Sequence, residues 1–513
     1  MFRQQTLPRL LFPYIDDRKH LYGRHVSLGL RGPSSPALGR KKIVVEFSSP
    51  NIASEFEAKH LRSTILGAYI ANLYETMGWD VVKINYLGDW GMPIGLLGVG
   101  WEKFGSEERF KADPVGHLHE VFHQIKQLFE PEEAARKSAR DEGHNPAEIE
   151  SKGLFAERNA FFKRMEDGDE KAIQFWKRVR QVNVENYTEL YSRLNVSFDD
   201  YSGESQASPE VMAEVEEILK SKGLCEKNGD SWVINFKKHT GRAGMAIIRN
   251  RTGSSTYLLR ELAAVLDRSR KYSFDEMIYV VVADAHTTHF SRVVKILELM
   301  DMADLAKKLR HIHFSEVSQM EDRLGYGHTL GEILDQCQTA MRRSLEENPD
   351  KAALLGDTDE AAASIGFTAL LAQELSARRA NDHTFDISQM TSFAQGTGPN
   401  LQWSYVRLCS ILKTTSPPTN LSDEEFASFR DMDQAMLLRL LAHYPDITIA
   451  AYKSLEPAAI MAYLVTVVRQ LSWCFEKSPE GKSITAAQAM LYEATRIVLE
   501  NGMKLLGITP ATK

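Results

Sequence analysis

The feature that most constrains this chain is a strand–helix–strand pattern near its beginning. Residues 43–47 (IVVEF) are apolar and rich in β-branched side chains, which predicts a buried strand. A Ser/Pro/Asn turn follows, a helix is predicted to begin near His60, and residues 81–85 (VVKIN) predict a second strand. Two strands joined in this way form a βαβ unit, so we predict an α/β domain that opens here.

The rest of the chain is predicted to contain an α/β part and a helical part. Residues 277–283 (MIYVVVA) form a near-continuous apolar run, which is typical of a strand buried on both faces. From about residue 330 onward, apolar residues recur at three- and four-residue steps, which predicts a separate helical domain. The expected divisions are an extended N-terminal arm at 1–40, an α/β domain with helical insertions at 41–330, a helical connection at 331–395 and a helical domain at 396–513.

Composition excludes several classes of protein. With 513 residues, of which 43% are hydrophobic, the chain is long enough for two or three domains with large cores. It has no apolar run of membrane-spanning length, and Asp16 and Asp17 argue against an N-terminal targeting signal. Its four cysteines are scattered without a CxxC spacing, and its net charge is −7. We therefore expect a cytoplasmic protein with no metal site, no membrane segment and no DNA partner.

Five sequence blocks occur in an order that is similar to class I arginyl-tRNA synthetases of the fungal or eukaryotic cytosolic type. The blocks are 85–95 (NYLGDWGMPIG), 198–206 (FDDYSGESQ), 255–262 (STYLLREL), 396–408 (GTGPNLQWSYVRL) and 491–510 (LYEATRIVLENGMKLLGITP). One such block is weak support, but five in order are specific. The resemblance implies an α/β fold in which a class I Rossmann-like catalytic domain is followed by an all-α, anticodon-binding-like helical bundle.

The resemblance also shows that the family's ATP signature is altered. The family reads His-x-Gly-His before Leu-Arg-Ser-Thr, whereas this chain reads Glu57-Ala58-Lys59-His60. Glu57 puts a carboxylate where a polyphosphate would lie, which costs several kcal/mol as an order of magnitude. Lys59 replaces a glycine against which adenine would pack, and His60 is kept. We therefore predict that adenylate formation is lost.

A second family signature changes in the same direction. The mobile loop of the family often reads Met-Ser-x-Arg-x-Gly, and the corresponding residues here, 319–327, read QMEDRLGYG. Glu321 and Asp322 add negative charge where a triphosphate would be held, while Arg323 is kept. Two separate acidic changes at the same ligand strengthen the prediction that the chain uses neither ATP nor another cofactor. The alternative is a synthetase that tolerates both changes.

The amino-acid pocket of the family is better preserved. The resemblance implies six arginine-binding residues: Ser49, Asn51, Glu204, Tyr257, Glu261 and His286. A guanidinium is best held by carboxylates in a forked arrangement, so Glu204 with Glu261 is a sensible pair. Glu261 stands where the family has Asp, and His286 lies near the position of a family glutamine. Without the resemblance, the two glutamates would be interpreted as members of ordinary ion pairs.

The C-terminal third implies binding to the anticodon arm of a tRNA. The family pattern continues through Tyr492, Asn501 and Met503, which are the candidate tRNA-binding residues. A protein that bound only free arginine would not need this domain. The sequence therefore suggests that arginine arrives already attached to tRNA.

These features together favour an arginine-containing cyclodipeptide synthase. In this respect the chain resembles the fungal enzymes of that kind. Such an enzyme would join the arginyl group of arginyl-tRNA to the aminoacyl group of a second aminoacyl-tRNA and release a cyclo-Arg-Xaa diketopiperazine. An ester of tRNA is already activated, so positioning and proton transfer suffice. Glu57 is then the candidate base, and Lys59 and His60 are candidates for charge stabilisation.

Two alternatives remain open. The first is an active arginine–tRNA ligase with a tolerant ATP site, which arginine-dependent ATP–pyrophosphate exchange would reveal. The second is a catalytically dead synthetase paralogue that only binds tRNA. The arginine pocket distinguishes this second alternative, because a pure RNA binder has no need for Glu204, Tyr257 and Glu261 together.

Overall fold

The computed structural model describes residues 6–32, 38–54, 56, 58–241, 244–281, 283–315, 329–356, 358–427, 429, 431–476 and 484–511, without the side chains of 58, 59 and 283–287. Several predictions therefore lie outside the described part of the chain. They concern Glu57, the side chains of Lys59 and His286, and the loop at 319–327.

The described residues form eight strands and twenty-two α-helices. The strands are β1 (Lys42–Phe47), β2 (Asp80–Leu87), β3 (Asp200–Gly203), β4 (Cys225–Asn228), β5 (Ser231–Asn235), β6 (Met245–Arg249), β7 (Glu276–Val280) and β8 (Leu309–His311). The helices before β8 are α1 (Thr6–Arg18), α2 (Ala58–Thr76), α3 (Met92–Phe104), α4 (Glu107–Ala112), α5 (Pro114–Asp141), α6 (Ala147–Glu150), α7 (Gly153–Glu166), α8 (Glu170–Arg193), α9 (Pro209–Ser221), α10 (Phe236–Thr240), α11 (Tyr257–Tyr272), α12 (Ala283–Leu299) and α13 (Ala303–Ala306). The helices after β8 are α14 (Leu330–Glu346), α15 (Pro349–Leu355), α16 (Asp359–Ser376), α17 (Ile387–Met390), α18 (Gly398–Thr414), α19 (Asp423–Ala427), α20 (Met432–Ser454), α21 (Pro457–Glu476) and α22 (Ala486–Leu505).

The chain forms two compact units. The sheet unit contains Val44–His60 and Val82–Ile312, and the helical unit contains the described parts of Met1–Ile43, Leu61–Val81 and His313–Lys513. The predicted βαβ opening is confirmed, because β1, α2 and β2 follow one another at the expected positions. The predicted strand at 277–283 is also present but shorter, since β7 ends at Val280.

The sheet unit is built on a five-stranded sheet in the order β3-β2-β1-β7-β8. The pairs β2–β3 and β7–β8 are parallel. Along the chain, β2 and β3 extend the sheet on one side of β1, and β7 and β8 extend it on the other side. In open α/β sheets a ligand crevice forms where the strand order reverses, at the carboxyl ends of the strands. Here that point lies between β1 and β7.

The core of the sheet unit explains why these segments fold as they do. Five of the six residues of β1 are buried, which suits its β-branched sequence. Helix α11 buries ten residues, among them Leu259 and Leu262, in the same cluster as Val44 and Ile84. The strands β4, β5 and β6 form a separate antiparallel sheet.

The prediction of an extended N-terminal arm is wrong. Residues Thr6–Arg18 form a helix, followed by short 3-10 turns at Lys19–Leu21 and Val26–Gly29. Leu11, Phe12 and Ile15 are buried on one face of α1. The helix tolerates Pro13 because its apolar face packs within the helical unit, where the rings of Phe12 and Phe429 lie 5.5 Å apart.

The C-terminal helices form the rest of the helical unit, as their periodicity predicts. Helix α21 (Pro457–Glu476) is the one helix of the described chain that is long and apolar enough to cross a membrane, and 56% of its most apolar stretch is buried within the protein. Burial of this kind is typical of a core helix. The domain boundaries predicted at residues 40, 330 and 395 stay predictions.

Candidate functional site

The turn after β1 has a strained backbone at the carboxyl edge of the sheet. Ser48 and Ser49 both have positive φ values, +69° and +48°, which are rare for residues other than glycine. The Ser48 hydroxyl lies 2.5 Å from the Tyr191 hydroxyl, and the Ser49 N–H donates to Asn85 Oδ1 at 3.1 Å. Strain of this kind costs about 1–3 kcal/mol per residue and persists only where neighbours enforce it. The turn is therefore held in one shape.

Asn51 continues this turn and meets the loop that follows β2. Its side-chain Oδ1 accepts a hydrogen bond from the Ala53 N–H at 2.9 Å. Gly88 donates its N–H to the Pro50 carbonyl at 3.0 Å, and a Cβ added at Gly88 would lie 3.3 Å from the Asn51 Cα. Because Gly88 is small, the two loops approach closely and place Asn51 in the wall of a cavity.

Asp89 anchors the next part of the site. Its fully buried carboxylate accepts hydrogen bonds from the Ser205 N–H at 2.9 Å, the Ser205 hydroxyl at 2.7 Å and Arg180 Nε at 2.7 Å. Burial raises the pKa of Asp89, and the bonds from Ser205 and Arg180 oppose that shift. A Cβ at Gly203 would lie 2.4 Å from the same carboxylate, so only glycine fits there. Asp89 thus fixes the turn that carries Glu204.

Glu204 is already paired with an arginine of this chain. Its Oε2 accepts from Arg260 Nε at 2.8 Å and from Nη2 at 2.6 Å, and Arg260 Nη1 donates to the carbonyl and hydroxyl of Ser255, both at 2.9 Å. Burial raises the pKa of Glu204 to about 7, although Arg260 partly opposes the shift. The predicted residue is therefore in the pocket, with an internal partner that the sequence analysis missed.

Glu261 belongs to a buried group of two carboxylates around one guanidinium. Arg268 Nη1 lies 2.6 Å from Glu46 Oε2 and 3.6 Å from Glu261 Oε1. All three side chains are almost completely buried. Burial raises the pKa of Glu46 to about 8 and raises the pKa of Glu261, with Arg268 opposing both shifts. The two carboxylates share one guanidinium, and with its pKa near 8 the Glu46 carboxyl group holds a proton at neutral pH.

Tyr257 connects the two acidic groups. Its ring stacks on His289 with centroids 4.5 Å apart. Burial raises the pKa of Tyr257 well above its ordinary value, and the nearby carboxylates of Glu261, Glu204 and Glu46 raise it further. The structure therefore brings together Glu204, Tyr257 and Glu261, as predicted, and adds Glu46.

A cavity of about 980 Å³ in the sheet unit is lined by Asn51, Glu204, Tyr257 and Arg260. Glu46 and Glu261 lie next to Tyr257 and are not part of the cavity lining. The other walls of the cavity include Arg136, Arg140, Arg251, Met245 and Ile247. The cavity is much larger than one amino acid. Among the described residues, no group of three or more His, Cys, Asp or Glu side chains is placed to hold a metal ion.

Comparison with known proteins identifies the family. A family model described as "tRNA synthetases class I (R), catalytic domain" matches residues 31–387, and one described as "DALR anticodon binding domain" matches residues 401–513. The chain belongs to the class I arginyl-tRNA synthetase family. Its fold class is accordingly the predicted one, a Rossmann-like catalytic domain followed by a helical anticodon-binding domain.

Individual relatives match the chain along almost its whole length. It is 37% identical to "Arginine--tRNA ligase, cytoplasmic" of Saccharomyces cerevisiae over 520 residues, covering 100% of this chain and 81% of that protein. It is 37% identical to "Probable arginine--tRNA ligase, cytoplasmic" of Schizosaccharomyces pombe, covering 99% and 81%. The solved arginyl-tRNA synthetase of Thermus thermophilus has a TM-score of 0.73 and 17% identity, covering 100% and 86%, and supports the fold alone.

The prediction of a cyclodipeptide synthase is wrong. The full-length similarity to arginine–tRNA ligases contradicts it and favours the ligase alternative. That prediction gave more weight to two short altered stretches, around Glu57 and at 319–327, than to the similarity of the whole chain to arginyl-tRNA synthetases. Glu57 and the stretch at 319–327 lie outside the described residues. The second aminoacyl-tRNA partner that the prediction required loses its support as well.

The synthetase's three candidate tRNA-binding residues have packing roles in this structure. The side chains of Tyr492 and Met503 are fully buried in the helical unit. Asn501 Nδ2 donates to the carbonyls of Lys19 at 2.8 Å and Tyr22 at 3.1 Å. Apolar residues at helical spacing fill a core more often than they face a ligand, and Tyr492 and Met503 follow that rule. The side chains of Tyr492 and Met503 are therefore not available to an RNA in this conformation.

His60 is the one candidate catalytic residue whose side chain the structure describes. It lies in the first turn of α2, is buried, and has its ring 5.5 Å from that of Phe56. Phe56 in turn packs on Tyr187 and Tyr191. His60 is thus seated on an aromatic cluster next to the strained turn that begins at Ser48. The catalytic roles given to Glu57, Lys59 and His60 stay predictions.

Proposed function

We propose that this chain is an arginine–tRNA ligase, which attaches arginine to tRNA at the expense of ATP. The observation that carries the proposal is the buried acidic pocket around Tyr257, in a chain that is 37% identical to such a ligase along its full length. In that pocket, Glu204 and Glu261 are the proposed guanidinium-binding residues. Ser49 and Asn51 are proposed for the backbone end of arginine, and His286 is proposed from its position in the sequence.

Charge balance supports arginine as the amino acid. Among the described residues, three buried carboxylates surround Tyr257, from Glu46, Glu204 and Glu261, and the guanidinium groups of Arg260 and Arg268 are paired with them. The cavity wall beside Glu204 also contains Arg136, Arg140 and Arg251. Burial raises the pKa of Glu46 to about 8 and that of Glu204 to about 7, and the neighbouring Glu261 carboxylate adds to both shifts. A substrate guanidinium beside these carboxylates would favour their ionised forms and displace the protons that they hold.

The helical domain at 401–513 supports tRNA as the second substrate, since it matches an anticodon-binding model. The compartment is a separate question. A cytoplasmic and a mitochondrial ligase of Saccharomyces cerevisiae are both 37% identical to this chain. The cytoplasmic location therefore stays a prediction, which imaging of the tagged full-length protein in its own cells would test.

The proposal requires that ATP binds despite the altered signatures. Arginine-dependent exchange of pyrophosphate into ATP, measured with and without tRNA, tests this directly. We expect pyrophosphate exchange when arginine is present and no exchange when lysine replaces arginine. A chain that retains tRNA on a filter but shows no exchange under either condition would be the dead paralogue of the second alternative and would contradict the proposal.

A further inference from the structure

Three polar side chains form a closed, buried triangle in the helical unit. Arg62 Nη1 lies 3.0 Å from Glu374 Oε2 and 2.9 Å from His383 Nδ1, and His383 Nε2 lies 2.8 Å from Glu374 Oε1. The side chains of Arg62 and Glu374 are each 1% exposed. Burial of a charged pair is a poor way to gain stability, because desolvation offsets most of the attraction. The triangle is better explained by the geometry that it imposes.

The hydrogen bonds indicate the tautomer of His383. Because an arginine can only donate, His383 Nδ1 must accept from Arg62 and carry no proton. Nε2 must then carry the proton and donate to Glu374. A side chain without an acceptor at the Nδ1 position would leave the guanidinium with one partner fewer.

The triangle is connected to a second centre at the backbone carbonyl of Arg379. That oxygen accepts from Arg62 Nη2 at 3.3 Å and from the Ser315 N–H at 2.8 Å. The guanidinium of Arg379 lies 3.3 Å from Glu456 Oε1 and donates to the Ser454 carbonyl at 3.3 Å. One short segment thus joins α2, the chain at Ser315 and the junction between α20 and α21.

Each of these connections leads to a stretch that the sequence analysis singled out. Arg62 lies in α2 two residues after His60, at the end of the altered ATP signature. Ser315 immediately precedes residues 316–328, which contain the altered second signature at 319–327. Ser454 and Glu456 lie within the 401–513 match to the anticodon-binding model. Both signature sequences are therefore attached, along the chain, to the same buried centre.

We propose that Arg62, Glu374 and His383 are positioning residues for the ATP-dependent step, and that the Arg379 carbonyl extends their effect to Ser315. This inference rests on the proposed ligase function. The triangle fixes the beginning of α2, and Ser315 fixes the start of the chain that leads into the second signature. None of these residues lines the cavity that contains Asn51, Glu204 and Tyr257, so the inference predicts no direct effect of these residues on arginine binding.

The test compares pyrophosphate-exchange kinetics of the full-length chain with those of three variants. His383→Leu removes the acceptor and should lower kcat about 10- to 100-fold, since small misplacements of reacting groups cost that much. His383→Asn keeps an acceptor close to the Nδ1 position and should recover part of the loss. Ser315→Ala removes a hydroxyl that donates to the Asn381 carbonyl at 2.7 Å and should raise the KM for ATP. The KM for arginine should stay within about twofold in all three variants, as expected when no pocket residue changes.

Matched controls separate positioning from general damage. His443→Leu alters an exposed histidine of the same unit that faces Asp446 at 3.6 Å, and Ser472→Ala removes a hydroxyl bonded only within its own helix, to the Val468 carbonyl. Both controls should behave as the unmodified chain does. Thermal unfolding by circular dichroism establishes the folded fraction of every variant.

The outcomes are distinct. Variants that match the unmodified chain in kcat and in the KM for ATP overturn this inference alone. A loss of kcat that is proportional to the loss of folded protein also overturns it. So does an equal loss of kcat in His383→Leu and His383→Asn. If the unmodified chain itself shows no exchange, both this inference and the proposed function fail.

Discussion

The guanidinium of Arg260 donates two hydrogen bonds to a single oxygen of Glu204, from Nε at 2.8 Å and from Nη2 at 2.6 Å. This pair defines the character of the arginine pocket. A carboxylate that the substrate would use is already oriented by an internal arginine, whose other nitrogen is held by Ser255. Glu204 is thus pre-organised, while Glu46 and Glu261 share the guanidinium of Arg268 in a second buried group.

Glu204→Gln should weaken arginine binding. The substitution keeps the shape but removes the charge, and a hydrogen bond to a charged group contributes about 1.5–3 kcal/mol, so the KM for arginine should rise about 10- to 100-fold. Steady-state pyrophosphate exchange over a range of arginine concentrations measures it. Glu210→Gln, at an exposed position in the first turn of α9, is the matched control and should leave the KM unchanged. An unchanged KM in the Glu204 variant would remove this residue from the pocket.

Arginine binding should strengthen as the pH rises from about 6 to about 8. In the ligand-free pocket, burial raises the pKa of Glu204 to about 7 and that of Glu46 to about 8, so protons are held there. The incoming guanidinium favours the ionised carboxylates and releases those protons, so the KM for arginine should fall by up to about tenfold per pH unit for each proton released and level off above the higher pKa. The KM for ATP, measured over the same pH series, is the control for the KM for arginine. An arginine KM independent of pH in this window would contradict the charge-balance argument.

Glu46→Gln should change how stability depends on pH. The pKa of Glu46 is about 8 in the folded chain against 4.5 as its ordinary value, so the folded state holds a proton that the unfolded state has lost. Its contribution to stability is complete below the ordinary value and is lost as the pH rises through the folded value. Relative to the glutamine variant, the unfolding free energy of the unmodified chain should decline by up to about 1.4 kcal/mol per pH unit. Urea unfolding at several pH values between 5 and 8 measures it, and parallel curves for the two proteins would refute the assignment.

Asp89→Asn should destabilise the sheet unit. The carboxylate accepts bonds from Ser205 and Arg180, and its loss leaves Arg180 without its counter-charge in a largely buried setting. We expect a loss of about 3 kcal/mol in urea unfolding, typical of breaking a buried pair. Asp301→Asn is the control, because Asp301 pairs with Lys222 at the surface and should cost less than about 1 kcal/mol. Equal costs for the two variants would contradict the anchoring role of Asp89.

Restoring the family's residues in the first signature should improve ATP use. The double variant Glu57→His/Lys59→Gly removes a carboxylate from the expected phosphate position. It also removes a long side chain from the expected adenine position. Exchange should quicken about 100-fold, the lower end of the range that one charge-stabilising group commonly contributes. Glu75→His, at an exposed position on α2, controls for the added histidine. If the restored chain is no faster than the unmodified one, the signature changes are neutral.

The strands and helices were largely predictable because local patterns determine them. The run at 43–47 has no polar residue except Glu46, and that single acid was the signal for a buried charge, which the sequence analysis passed over. Asp89 could have been noticed too, as an acid that directly follows a buried strand. The pairs Arg260–Glu204 and Arg268–Glu46 could not be assigned, because each joins elements that are distant in sequence.

The errors have physical causes as well. The N-terminal segment is proline-rich, and its helix depends on tertiary packing of Phe12 that local sequence does not contain. Tyr492 and Met503 lie in a stretch that is similar to the family, but similarity of sequence does not distinguish a core residue from a contact residue. The mistaken activity came from giving two altered motifs more weight than the whole scaffold.

The charging of tRNA by the purified full-length chain tests the central claim most directly. Radiolabelled arginine, ATP and total tRNA are incubated with the protein, and acid-insoluble label is counted, with lysine and an ATP-free reaction as controls. The account predicts label in tRNA that requires arginine, ATP and the protein. Binding of tRNA without any such label, under conditions in which a known arginine–tRNA ligase charges the same tRNA, would contradict it.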